Sequence, residues 1–150
     1  MTSKIDFDVL EKTASQDGIE KRVVGACIMH DGKVLLLKRC LKEDFMPGLI
    51  ELPSGGIEGG ENLADALARE VLEETSLKIS SVESYVGSFD YTSHSGRKSR
   101  QFNFVVKVED ISSLQLNDEE HSEYFWVDPS EDDLDQYNVS KSTLEIIKKI

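Results

Sequence analysis

The stretch Gly55-Gly56-Ile57-Glu58-Gly59-Gly60-Glu61-Asn62-Leu63-Ala64-Asp65-Ala66-Leu67-Ala68-Arg69-Glu70-Val71-Leu72-Glu73-Glu74-Thr75-Ser76-Leu77 decides how the rest of the chain is read. Its first part is a glycine-rich turn, which permits tight bends and lets the backbone come close to a ligand. Its second part is a helix: Asn62 is a suitable N-cap, and Leu63, Ala64, Leu67, Ala68 and Val71 recur at helical spacing over about three to four turns. Glu70, Glu73 and Glu74 stand at i, i+3 and i+4, so they project from one patch of that helix. Like charges held together either raise one another's pKa or share a cation, and an oxygen-rich cluster suits a hard divalent ion. A solvated acidic face is the alternative for such a helix.

The spacing from Gly55 to Glu61, on to Arg69-Glu70, Val71, Glu73-Glu74 and finally Leu77 resembles the signature box of the Nudix hydrolase superfamily, in its MutT-like form. One position departs: the family usually has Gly before the last aliphatic residue, and this chain has Ser76. Ser76 must therefore take a left-handed conformation or end the helix in another way. The resemblance implies an α/β fold, the Nudix α/β/α sandwich with a mixed β-sheet. It also implies Mg²⁺, with Mn²⁺ as a substitute, held by Glu70, Glu73, Glu74 and Glu120. Glu120 matches a family position six residues before Trp126; Glu119 and Glu123 are its rivals. Glu70, Glu73 and Glu120 are the candidate general bases, while Gly55 and a Glu61–Arg69 ion pair support the site.

The implied reaction is hydrolysis of a diphosphate linkage in a nucleoside diphosphate derivative. A (deoxy)nucleoside triphosphate giving a monophosphate and pyrophosphate leads; ADP-ribose or nucleotide-sugar hydrolysis is the alternative. A non-catalytic nucleotide-binding module is the reading from another class, and intact box carboxylates speak against it. Residues 91–95 read Tyr-Thr-Ser-His-Ser, without the downstream Pro and Tyr markers that accompany other substrates in the family. Tyr91, Phe104 and Trp126 are candidates for stacking on a base, with core packing as the alternative for each.

Charge bounds the partners. The chain has 150 residues, 29 acidic and 17 basic, for a formal net charge of −12. A nucleic-acid polymer or an anionic membrane would be repelled, whereas a small phosphate substrate is compatible through a bridging cation. Arg39, ending a strand, is a candidate phosphate contact, as are Arg97 and Arg100 in the concentrated basic patch of residues 91–100. A solvated hairpin tip is the alternative for that patch. His121 reads as a surface residue, since no Cys/His spacing accompanies it. Cys27 and Cys40 form no CxxC and read as ordinary reduced thiols. No apolar run resembles a signal peptide or a membrane span, which predicts a cytoplasmic protein. Homodimerisation is common in the family, but no stretch identifies an interface.

Outside the box, residues 1–20 read as an N-terminal arm, partly disordered or a short helix or edge strand, and residues 21–150 as the Nudix domain. Arg22 to His30 and Lys33 to Arg39 form a hairpin across Asp31-Gly32. Leu49 to Leu52, Ile79 to Phe89, Gln101 to Val108 and Tyr124 to Val127 are the further strands. Phe102, Phe104, Val106 and Val108 alternate with Asn103, Val105 and Lys107, which predicts a half-buried strand. Asp128-Pro129 opens an acidic linker, and Ser142-Thr143-Leu144-Glu145 has the pattern of a capping box at the start of a last helix.

Overall fold

The computed structural model describes residues 5–41, 46–130, 134 and 136–150. The first four residues of the arm, residues 42–45 of the loop after the first hairpin, and most of the acidic linker at 131–135 lie outside the described residues. In chain order the elements are α1 (Phe7–Gln16), β1 (Lys21–His30), β2 (Lys33–Arg39), β3 (Ile50–Glu51), β4 (Ser54–Gly56), α2 (Leu63–Thr75), β5 (Ile79–Thr92), β6 (Lys98–Val108), β7 (His121–Val127) and α3 (Lys141–Ile147). A short 3₁₀ turn spans Ile111–Ser113.

The strands form one mixed sheet, with the path β3-β2-β1-β6-β5, β4 on β1 and β7 on β2. β1 and β6 run parallel from Lys21↔Ser99 to Ile28↔Val106, and the remaining strand pairs are antiparallel. Asp31 and Gly32 both have positive φ, 50° and 75°, as a two-residue hairpin turn between twisted strands requires.

Two apolar layers close on the two faces of this sheet. On one, Leu63, Ala66, Leu67 and Val71 of α2 pack with Val24, Ala26, Ile28, Phe102, Phe104 and Val106. α1 joins that layer through Ala14 and through Phe7, whose ring centroid is 5.4 Å from that of Phe104. On the other face, Ile146 and Ile147 of α3 pack with Cys27, Val34, Leu36, Ile50 and Leu52. The α/β/α sandwich expected from the sequence is therefore the observed fold.

Helix covers on both faces correct the half-buried reading of β6. Asn103 and Gln101, on the face expected to meet solvent, are buried, because α3 and the loops before it cover that side. β5 and β6 also run further than expected, so Lys98, Ser99 and Arg100 are strand residues and only 93–97 form the tip. The last helix starts earlier than its capping-box pattern suggests: Ser140 is the N-cap, its Oγ accepting from Thr143 N at 3.2 Å. Ser76 takes the left-handed conformation at φ 63°, donating its N–H to Leu72 O (2.9 Å) and its hydroxyl to Gln115 O (3.1 Å). Those two bonds hold a backbone conformation that glycine would adopt without strain.

Candidate active site

α2 begins where Asn62 Oδ1 accepts from Asp65 N at 2.8 Å, and its register sends Glu70 and Glu74 under the glycine turn. Gly55 is needed there: a Cβ at that position would lie 2.0–2.3 Å from the carboxyl atoms of Glu70. The missing side chain is the space the carboxylate occupies. Arg69 fastens the turn to the helix, donating Nε to Glu61 Oε2 (2.7 Å), Nη2 to Glu61 Oε1 (2.8 Å) and to Gly56 O (3.0 Å). This two-pronged pair holds the Glu61 carboxyl down at about 2, chiefly through the bonds from Arg69 and from the Glu58 N–H. Arg69 Nη1 reaches Glu70 Oε1 at 2.8 Å and Glu73 Oε2 at 3.2 Å.

The three box glutamates are not equivalent. Glu74 is 3 % exposed and accepts from Ser54 N at 2.9 Å. Burial, followed by the charges of Glu51, Glu70 and Glu120, pushes its pKa up to about 10. Glu70 is largely buried and its pKa is raised by desolvation, against the opposing pull of Arg69. Glu73 has a side chain 55 % exposed and lies outside the cavity lining.

Opposite them stands the turn that leads into β7. Cys40 N donates to Glu120 O at 2.9 Å, and β2 pairs β7 at Arg39↔His121, so the far end of the chain is carried to the box. Ligand atoms of Glu74, Glu120 and His121 all lie within 4.8 Å of one another. His121 corrects the sequence reading: it is 1 % exposed, not a surface residue. Its Nε2 is 3.2 Å from Glu51 Oε1, and its Nδ1, 3.4 Å from Glu74 Oε2, is buried with no hydrogen-bond partner among the described residues. The cluster fits a divalent cation: it gathers carboxylates in a place where burial opposes their charge, and it holds an unsatisfied ring nitrogen.

These groups open into a cavity of about 540 Å³. Glu70, Glu74, Glu120, His121, Gly55, Glu51 and Arg39 line one part of it. Val23, Leu49, Leu52, Phe89 and Tyr91 give the rest an apolar wall, with Gln101 and Lys21 on its sheet side and Ser140, Ser142 and Thr143 from the start of α3. Arg39 also bonds Glu51 Oε1 at 3.3 Å. Arg97 and Arg100 are not brought to the cavity. Arg100 instead bonds Asp90 at 2.7 and 3.0 Å and pairs with Asp17 at 2.9 Å, while Arg97 is exposed at the hairpin tip. Of the three aromatic candidates only Tyr91 lines the cavity; Phe104 is core, and Trp126 packs beside His30.

Sequence reasoning missed His121, Glu51, Lys21 and Gln101. Glu51 carried a usable signal, since it stands in a short strand that runs almost directly into the glycine turn. The two thiols play no part. Cys27 is buried with its pKa pushed up to about 12, and the Cys40 thiol bonds Asp118 O at 3.3 Å.

A sandwich with a carboxylate-bearing helix beneath a glycine turn defines the class, a pyrophosphohydrolase. The chain belongs to the NUDIX domain family, whose match spans residues 20–145. It is 29 % identical over 137 residues to the nucleoside triphosphatase NudI of Escherichia coli (strain SE11), covering 86 % of this chain and 95 % of that one, and equally to NudI of Shigella sonnei. Among solved structures it resembles the E. coli ORF135 protein at 29 % identity and a TM-score of 0.71, over 89 % of this chain and 90 % of that one. It also resembles the MutT protein of Methanosarcina mazei Go1 at 25 % identity and a TM-score of 0.74, over 86 % and 91 %. Nudix enzymes act on small nucleotide substrates and generally use a divalent metal. Among the described residues no helix is long and apolar enough to cross a membrane.

Proposed function

We propose that the protein hydrolyses (deoxy)nucleoside triphosphates to the monophosphate and pyrophosphate with the help of Mg²⁺. The observation that carries this reading is the junction of Glu70, Glu74 and Glu120 with an apolar-walled cavity of about 540 Å³, which offers one compartment to phosphates and another to a base. Its likeness to NudI, a nucleoside triphosphatase, supports the same substrate class. Bound at Glu74 and Glu120, with Glu73 or His121 completing the set, the cation would neutralise phosphate oxygens and make the attacking water more acidic. Arg39 is suited to a phosphate oxygen at the cavity rim.

Glu70 is the preferred general base. It lines the cavity, burial strengthens its hold on a proton, and Arg69 fixes one of its oxygens. Glu73 and Glu120 are its rivals for that role. The test is turnover of a panel of triphosphates, ADP-ribose and nucleotide sugars, read as nucleoside monophosphate formed from every substrate and as pyrophosphate from the triphosphates, by the wild type and by Glu70→Gln, Glu73→Gln and Glu120→Gln. Triphosphate turnover that falls at least about 100-fold in Glu70→Gln supports the reading. Turnover confined to ADP-ribose or nucleotide sugars would replace the substrate class.

A further inference from the structure

On the sheet side of the cavity the strands present a regular row: Phe89 of β5, Gln101 of β6 and Val23 of β1 are cross-strand neighbours, and all three line the cavity. Gln101 stands between two apolar side chains, and its amide is held by a chain of bonds with only one consistent direction. Asn103 Nδ2 is 3.1 Å from Gly87 O and 3.2 Å from Gln101 O. Carbonyl oxygens only accept, so the atom facing them must be the amide nitrogen. The other end of the Asn103 amide is then an oxygen, and it accepts from Gln101 Nε2 at 2.8 Å. Gln101 must therefore turn its nitrogen toward Asn103, and its Oε1 is left without a protein hydrogen bond among the described residues.

A second observation shows that this arrangement is built into the backbone. Gly25 faces Asn103 across the parallel β1–β6 ladder. A Cβ on Gly25 would lie 2.3 Å from Asn103 Oδ1 and 2.5 Å from Gln101 Nε2. The amide pair occupies the volume that any side chain at position 25 would need.

Resting on the triphosphate reading above, we infer that Gln101 Oε1 is a fixed acceptor that reads the substrate's base and selects bases bearing an exocyclic amine. The residue is only 8 % exposed, so the acceptor is recessed between Phe89 and Val23. An exocyclic N–H₂ projects beyond the ring and can reach such a recess. A ring N–H beside a carbonyl, as in uracil and hypoxanthine, projects less far than an exocyclic amine, and the adjacent oxygen is brought against Oε1, which repels. Because Asn103 and the Gly87 carbonyl lock the amide, it cannot rotate to offer Nε2 instead. Discrimination therefore comes from an acceptor that is unable to adapt. Asn103 is a positioning residue, acting on the base only through Gln101.

The test compares amine and oxo partners of the same ring: dCTP against dUTP and dATP against dITP for turnover, and CMP against UMP and AMP against IMP for calorimetric binding. In the wild type the amine member should be favoured by about tenfold or more in kcat/KM, mainly through KM, and by a similar factor in monophosphate affinity. Gln101→Leu should bring both ratios to within about twofold of unity. Asn103→Ser, which frees the amide to rotate, should lower the ratios by admitting the oxo bases rather than by weakening the amine bases. Thermal melts check that each variant is folded, and the wild-type ratios stand without any variant. Equal use and equal binding of both members by the wild type, or ratios unchanged in folded Gln101→Leu, would overturn the inference. Amine-selective monophosphate binding without triphosphate turnover would uphold the base reading and sink the triphosphate assignment; triphosphate turnover without selectivity would do the reverse.

Discussion

Gln101 and Phe102 are consecutive residues of β6, yet they face two different media. Phe102, with Phe104, Val106 and the alternate residues Val24, Ala26 and Ile28 of β1, closes against α2 and α1 with almost no polar atom present. Gln101, with Asn103, Val23 and Gly25, faces the α3 side, where amides, a glycine and a cavity adjoin the second apolar layer. One pleated strand thus walls the α2-side core with Phe102, Phe104 and Val106, and on its other face walls the site at Gln101 before Val105 joins the α3-side apolar layer. The first face is closed by the larger of the two apolar layers. The second can carry polar groups because their hydrogen bonds are made within the sheet.

The sharpest way to break the contrast is to remove volume from the first face. Phe104→Ala deletes a fully buried ring that touches Phe7 and Tyr85, and should cost about 3–5 kcal/mol in urea unfolding. A loss below about 1 kcal/mol would mean that α1 and α2 do not seal that layer. Next in size is a change on the site face that should damage chemistry more than stability. Gly55→Ala places a Cβ on the Glu70 carboxyl, and turnover should fall about 100-fold, near 2.7 kcal/mol in the barrier, with a much smaller change in melting temperature.

A third experiment examines the charge stored on the site face. The Glu74 pKa is raised from 4.5 to about 10, so the carboxyl is protonated at neutral pH while the metal-ligating form is the carboxylate. Divalent-metal binding at pH 8 should therefore release about one proton. Affinity should rise up to tenfold per pH unit, about 1.4 kcal/mol, and level off once pH passes about 10. Calorimetry in two buffers of different ionisation enthalpy reads the proton directly, and zero release would exclude Glu74 as a ligand. The smallest effect belongs to the helix end between the two faces. Ser76→Gly removes a non-glycine residue from φ 63° and should stabilise by about 0.5–1 kcal/mol, less whatever the exposed hydroxyl bond to Gln115 contributes.

The elements that could be read from the sequence are those whose signal is local. The hairpin at Asp31-Gly32 needs positive φ at two adjacent residues, and the dipeptide states that requirement. The helix that starts at Asn62 and carries Glu70, Glu73 and Glu74 follows from a cap and a period. The family resemblance then supplied the sandwich, which the strand order bears out. What could not be read are properties of pairings distant in sequence. His121 is buried because β7 lies on β2, 82 positions upstream at Arg39↔His121, and nothing near residue 121 announces that neighbour. Asn103 was assigned to solvent because a strand covered on both faces by helices alternates in polarity as a half-exposed one does, when one cover encloses a cavity. Arg100 was grouped with the exposed basic tip because its partners Asp90 and Asp17 are brought to it only by the β5–β6 ladder and by the helix at the start of the chain.

The void at Gly25 also limits how this protein can diverge. Three positions on two strands, 25, 101 and 103, share one small volume, so they form a single heritable unit rather than three independent sites. A lineage could alter residue 101 or 103 one step at a time while position 25 stays glycine. The opposite order, a side chain at 25 first, meets a collision of 2.3 Å before any new preference exists for selection to keep. New substrates in descendants of this chain would accordingly be reached through β6, with β1 the last of the pair to change.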